Sequence, residues 1–310
     1  MDDPMFATKS FNLSKDGKVV RRPPRKSVSH THLRARLATS ICHPLMRRTW
    51  FFSISLFIGA FACNVSAADW SLRDVVTALF KADRRTPIDF SNAELKFLDL
   101  SGLDFKRARL TGANLHGSDL TGAILSNCDL QNAILDRATL VGVDFSSSNL
   151  EGALIRLPFS AGSPGFDSSA SPKFPGANLR QARLVGRFDG GNFRGAKLDG
   201  ANLGPYGDWT QNTLARRSVI VSGDFSGASL VNANLSEAIL TFVNFKDADL
   251  RGVDLTNANL VGADFSGANL ANANVNGADF EGTNLTTANG LDQLVGRERA
   301  INWPSARRKR

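Results

Sequence analysis

The sequence predicts an all-β repeat solenoid, a shaft wound from five-residue units. Three observations carry this reading. From Phe90 a Leu, Phe or Ile recurs at every fifth residue as far as Ile155, and a second unbroken run extends from Phe225 to Leu285. Two residues before most of these central residues stands a small side chain, as at Ala93, Ala113, Cys128 and Ala138. Two residues after them a Gly is frequent, as at Gly112, Gly122, Gly252 and Gly262. A period of five suits neither a 3.6-residue helix nor a two-residue strand, so internal periodicity decides the fold class. It requires a backbone that turns a corner in each unit, keeping the same two positions inward, and Gly tolerates the positive φ that such corners demand.

A shorter middle set, Phe174, Leu179, Leu184, Phe188, Phe193, Leu198 and Leu203, drops one residue between Leu184 and Phe188. The period breaks at residues 156–173 and 204–219, and both breaks are expected as loops projecting from a continuous shaft.

The units Ala113-Asn114-Leu115, Ala233-Asn234-Leu235, Ala263-Asp264-Phe265 and Ala278-Asp279-Phe280 resemble the pentapeptide-repeat family over residues 86–290. The resemblance implies a right-handed quadrilateral β-helix with four units per coil. Its thirty-four central residues then make roughly eight or nine coils, a shaft about 40 Å long at the strand spacing. Outward positions twenty residues apart form ladders, with Asn234, Asp254 and Asn274 on one wall and Asp224, Asn244, Asp264 and Asn284 on another. Alternation of Asn with Asp there limits like-charge contact.

The ends of a solenoid expose unpaired strand edges and need covers. Ser71-Leu72-Arg73-Asp74 resembles a helix capping box, and Leu72, Val75, Val76, Leu79 and Phe80 follow at helical spacing, so 68–85 is expected to be a helical N-terminal cap with its helix at 71–82. Within 291–310, Leu291, Leu294, Val295, Ile301 and Trp303 are expected either to cover the last coil or to form a homodimer. The tail Arg307-Arg308-Lys309-Arg310 is read as a solvated end.

Ahead of the repeats, residues 46–67 resemble an export signal. Met46-Arg47-Arg48 precedes an apolar run from Trp50 to Ala62, and Val65-Ser66-Ala67 precedes Ala68, in the order that a secretory signal requires. The run is too short to span a bilayer as a helix, and no stable membrane span is expected once the signal is cleaved. A twin-arginine or lipoprotein variant of the signal has weaker support. Residues 1–45 are expected to be a disordered extension or upstream sequence translated from a misassigned start. The predicted location is periplasmic or secreted.

The net charge of +8 belongs to the leader, because residues 1–67 hold eleven basic and three acidic side chains, leaving 26 of each sign beyond them. Nucleic acid is therefore not an expected partner. Charge in the repeats is segregated: 86–155 is net −4, 156–219 net +5 and 220–290 net −6.

Catalytic residues are sparse. Beyond the leader stand a single His, His116, and a single Cys, Cys128. Cys128 occupies a small inner position and reads as packing. No metal site, cofactor or enzyme activity is expected. The basic middle and its interruptions instead nominate an interaction surface: Tyr206, the single Tyr of the chain, with Trp209, Arg183, Arg187, Arg216 and Arg217. The expected partner is a protein, of acidic character. Some members of the family resemble B-DNA and protect DNA gyrase from quinolones. That alternative needs a strongly acidic cytoplasmic rod, which the basic middle and the leader oppose.

Overall fold

The computed structural model describes residues 70–83, 85–160, 170–206 and 217–303, all within one compact unit, Ala62–Arg310. The leader, Trp209, Arg216 and the tail Arg307–Arg310 lie outside the described residues.

The chain folds as a β-helix in which each five-residue unit contributes a short wall and a corner. Pairing between coils is parallel throughout, mostly through single bridges with an offset of one coil, such as Asp89↔Arg109, Arg109↔Asp129 and Asp129↔Asn149. Two rows of backbone hydrogen bonds close each step. The central residue donates to the next coil (Leu95 N to Asn114 O, 2.8 Å), and the residue before the centre donates back (Asn114 N to Ala93 O, 2.9 Å). The backbone groups of the walls are thereby paired, as burial requires.

Four columns of outward residues follow from this pairing. One runs through Asn114, Ile134, Leu154, Arg183 and Asn202, with Leu154–Arg156 (β1) and Arg183–Val185 (β2) forming its longest parallel pair. The next joins Asp119, Thr139 and Phe159 and, beyond a change of register, Arg187, Val219 and Ile239. The other two pass through Ile124, Asp144, Lys173 and Asn192, and through Asp129, Asn149, Asn178 and Lys197.

The central residues fill the shaft, and the small inner positions admit the opposite walls; Leu115, Phe145, Leu230 and Phe265 are all fully buried. Phe145, Phe174, Phe193, Phe225, Phe245 and Phe265 form one internal column with ring centroids 4.5–5.3 Å apart. Offset stacking of this kind adds to the burial of aromatic area.

At most outward positions an Asn or Asp moulds its own corner. Its side-chain oxygen accepts the backbone N–H two residues on, as with Asp99 and Ser101 (3.1 Å), Asn234 and Ser236 (2.9 Å) and Asp264 and Ser266 (2.9 Å). This is the Asx turn. Each such corner then passes through a residue at positive φ. Gly262 takes +69°, and an added Cβ would lie 2.5 Å from Cδ1 of Phe242 in the preceding coil, so both conformation and space demand Gly there. Asn and even Phe occupy the same corner elsewhere, with φ 57° at Asn92 and 58° at Phe97 and Phe242.

The outward ladders carry hydrogen bonds as well as separated charges. Asn244 Nδ2 donates to Asp224 Oδ1 (3.0 Å), and Asn284 Nδ2 to Asp264 Oδ1 (2.9 Å).

The interruptions are narrower than the loops expected at 156–173 and 204–219. Arg156 ends β1, Phe159 pairs with Thr139, and Lys173 pairs with Asp144, so the wall includes residues on both sides of the first break in the motif. Val219 likewise pairs with Arg187 and Ile239. The wall needs two inward positions per unit, and Pro158 and Ser160 supply them, with Phe159 facing outward between them, without matching the motif. At the C-terminal end the coil continues beyond residue 290, because Val295 and Ile301 pair with Asn274 and Asp279.

At the N-terminal end stands helix α1 (Leu72–Lys81). Ser71 and Asp74 form a reciprocal capping box, and Asp74 is held below the usual carboxylate pKa mainly by its hydrogen bond from Ser71. Val75 and Leu79 are buried in the same core as Phe90. Lys106 Nζ donates to the carbonyls of Leu79 (2.7 Å) and Ala82 (3.2 Å), satisfying the helix C-terminus.

Candidate functional site

Both breaks in the motif border one wall, to which Thr139, Phe159, Arg187, Val219 and Ile239 contribute. Ser160, beside the first break, directly follows Phe159, and Arg217, beside the second, stands just ahead of Val219. The corner at Tyr206 also adjoins the wall of Ile134, Leu154 and Arg183.

At that corner Arg156 lies one coil beyond Asp136. Its Nε bonds both carboxylate oxygens of Asp136 at 2.9 Å, its Nη2 bonds Oδ2, and its backbone N–H donates to Oδ1 at 3.0 Å. Asp136 is buried, 7% exposed, so its charge requires this bidentate partner. The hydrogen bonds that Arg156 donates to Asp136 raise its pKa against the opposing effect of burial.

Arg156 Nη1 donates to the Tyr206 hydroxyl at 2.9 Å, and its guanidinium carbon lies 5.0 Å from the Tyr206 ring centre. Arg183 lies over the same ring at 5.3 Å and donates through Nη2 to Pro205 O at 2.9 Å. Both contacts are cation–π in geometry. Burial lowers the Arg183 pKa, and the nearby charge of Arg156 acts in the same direction. Among the described residues no carboxylate pairs with Arg183.

Of the six residues nominated from the sequence, Tyr206 and Arg183 thus meet in one cluster. Arg187 pairs instead with buried Asp189, whose Oδ1 also accepts Val221 N at 2.9 Å. Arg217 faces Glu237 at 3.5 Å. Trp209 and Arg216 lie outside the described residues. Elsewhere in the basic middle, Arg180 Nε bonds Asp199 at 2.9 Å. Asp199 is lowered in pKa: burial is its largest single influence and raises it, but hydrogen bonds from Ser229, Arg180 and Val231 together outweigh that.

Two participants escaped sequence reasoning. Asp136 occupies the position after a central Leu, where side chains are usually solvated, and Arg156 is one of nine basic residues in 156–219 with nothing to single it out. Their separation of one coil was the available signal.

Cys128 is buried, with its thiol pKa pushed up to about 12 by desolvation. Among the described residues no group of three or more His, Cys, Asp or Glu is placed to hold a metal ion, and no helix is long and apolar enough to cross a membrane.

Among curated proteins none matches the sequence. Solved structures do. The chain is similar to HetL, a pentapeptide repeat protein involved in heterocyst differentiation regulation from the cyanobacterium Nostoc sp. strain PCC 7120, at 25% identity over 73% of this chain and 94% of that one, with a TM-score of 0.35. It is similar to QnrB1, a plasmid-mediated fluoroquinolone resistance protein, at 21% identity over 66% and 90%, with a TM-score of 0.27. A pentapeptide repeat protein of the Arabidopsis thaliana thylakoid lumen matches at 29% identity over 40% and 68%, with a TM-score of 0.17. A family model for pentapeptide repeats matches in 8 copies, over residues 88–127, 123–156, 224–257 and 248–286. With its five-residue units, coil-to-coil pairing and Asx corners already in place, the chain belongs to the pentapeptide-repeat family.

Proposed function

We propose that this chain is an exported, non-enzymatic interaction scaffold. The observation that carries the reading is the fixed outward grid. Wall side chains are anchored by backbone bonds on both sides of each coil, and most corners are locked by a side-chain oxygen, so outward groups stand in set positions before any partner arrives. Preorganised surfaces lose little entropy on binding. Proteins of this repeat family are generally structural or interaction proteins, and the scarcity of nucleophile–base pairs in the sequence agrees with that role.

In this reading the coil has a right-handed quadrilateral cross-section. Four outward columns support the four sides, and the preferred hand of parallel crossovers supports the handedness. Helix α1 serves as the N-terminal cap, an assignment supported by buried Val75 and Leu79 and by the edge-on packing of Trp70 on Phe90, with ring centres 4.9 Å apart. Export is supported by the order of positive stretch, apolar run and small residues in 46–67.

Cell fractionation followed by N-terminal sequencing of the purified protein tests this reading. A mature start at Ala68 in the periplasm or medium is the expected result. A retained leader in the cytoplasm overturns it.

A further inference from the structure

Most outward positions carry Asn or Asp, and nearly all of these accept a corner hydrogen bond from the residue two places on. Around the Tyr206 corner this rule lapses over consecutive coils. Ile134, Leu154 and Arg183 follow one another on one wall; on the next Thr139 pairs with Phe159, and the adjoining Ser160 donates through its hydroxyl to the Arg187 carbonyl. None of the six outward side chains can form an Asx turn, so the shaft forgoes its local corner bond where the two walls meet. Departures from an otherwise consistent local rule concentrate at functional sites.

What replaces the Asn and Asp has the composition of a binding surface. Phe159 is 66% exposed, Tyr206 42% and Leu157 41%, and Arg156, Arg183 and Arg187 stand among them. Aromatic residues and Arg are the types enriched in interface cores and among residues dominating binding energy. The charge balance is specific as well. Asp136 neutralises Arg156 and Asp189 neutralises Arg187, whereas Arg183 meets a phenol ring and a carbonyl. One half-buried guanidinium at the centre of the face is left without a carboxylate among the described residues.

We propose that this face docks an acidic protein segment bearing an aromatic or aliphatic side chain, with its carboxylate received by Arg183 and its apolar group covering Phe159 and Leu157. Arg156 and Asp136 act as positioning residues, since their bidentate pair holds Tyr206 beneath Arg183. The proposal rests on the scaffold reading, but its test is independent of compartment.

The test uses the purified protein with a random copolymer of glutamate and tyrosine as probe and poly-glutamate as the purely electrostatic control. Fluorescence anisotropy should show the copolymer binding at least ~10-fold more tightly than poly-glutamate. Arg183→Gln and Phe159→Ser should each weaken copolymer binding by about 10-fold or more, in the range of central interface residues. Lys173→Gln, on a different wall, should leave it unchanged. Equal binding of the two polymers, no binding, or binding indifferent to both variants would overturn the proposal. Sedimentation without probe covers the remaining occupant: a dimer that Phe159→Ser converts to a monomer would assign the face to a second copy of this chain and overturn it too. A cytoplasmic location with retained leader would end the export reading and leave these outcomes untouched.

Discussion

Phe193 and Phe225, on opposite sides of the second interruption, stack 4.5 Å apart with their rings 7° from parallel. The internal column therefore passes the interruption without a break, and the shaft must be held there by packing rather than by motif. Phe193→Ala should lower stability by about 3–5 kcal/mol, the usual cost of emptying an aromatic core site. Phe80→Ala, which truncates a side chain 87% exposed, should change it by no more than about 0.5 kcal/mol. Urea unfolding followed by circular dichroism measures both, and equal effects would contradict a continuous core.

Register explains why the first interruption is tolerated. Asp144 pairs with Lys173, nine residues beyond the regular one-coil offset. Deleting Ala161–Ser169, so that Ser160 joins Ala170, restores that offset. The variant should keep its β signal and melt at or slightly above the parent temperature, because a shorter connection between paired positions is cheaper to close. Loss of cooperative melting would show that the removed residues hold the shaft together.

Removing the carboxylate of Asp136 leaves Arg156 with donors facing the space it vacates. Asp136→Ala should destabilise by about 1–3 kcal/mol, the penalty for losing hydrogen bonds to a charged group. It should also expose Tyr206, whose hydroxyl Arg156 holds. Quenching of Tyr206 fluorescence by acrylamide reads the second effect, provided that the Trp emission is separated.

Asp199 gives a pH dependence with a definite sign. Its folded pKa lies below the ordinary value of 3.8, so its contribution is present above that value and disappears as pH falls through the lower folded pKa. Wild type should therefore melt above Asp199→Asn at neutral pH, and the gap should close below pH 3.8. A gap that widens in acid would reverse the assignment.

Cys128 offers a probe of local opening. In a protein beginning at Ala68 it is the one thiol, and its pKa of about 12 together with burial keeps it protonated and covered. A thiol reagent at pH 8 should react only as fast as the shaft opens, and completely in denaturant. Rapid labelling of the folded protein would mean that the third coil is loose.

The period of five made the walls legible, because burial of Leu, Phe and Ile at each fifth position leaves few ways to fold. Corners were legible only in part. Gly112 and Gly262 announced theirs, whereas Phe97 and Phe242 sit at the same kind of turn with nothing in their residue type to suggest it. Alternation of Asn with Asp along the ladders spaces charge, but their hydrogen bonds to the backbone two residues on are the stronger reason for those residues. Least legible was the Tyr206 cluster. Which guanidinium meets which carboxylate depends on where a coil gains or loses residues, and neither Pro158–Phe159 nor Lys173 matches the motif that would have fixed the register in advance.

The corner bonds have a consequence for how such a chain can change. Because Asp264 moulds its turn through Ser266 alone, and Asn234 through Ser236, the instruction for each bend is contained within the unit that bends. A twenty-residue stretch such as Ser229–Ala248 carries its own bends and meets its neighbours through interchangeable surfaces. Duplicating it should lengthen the shaft by one step of roughly 4.8 Å, while the face at Tyr206 keeps its arrangement. Growth and recognition are thus written in separate parts of the sequence, and lineages can lengthen or shorten the rod without renegotiating what it binds.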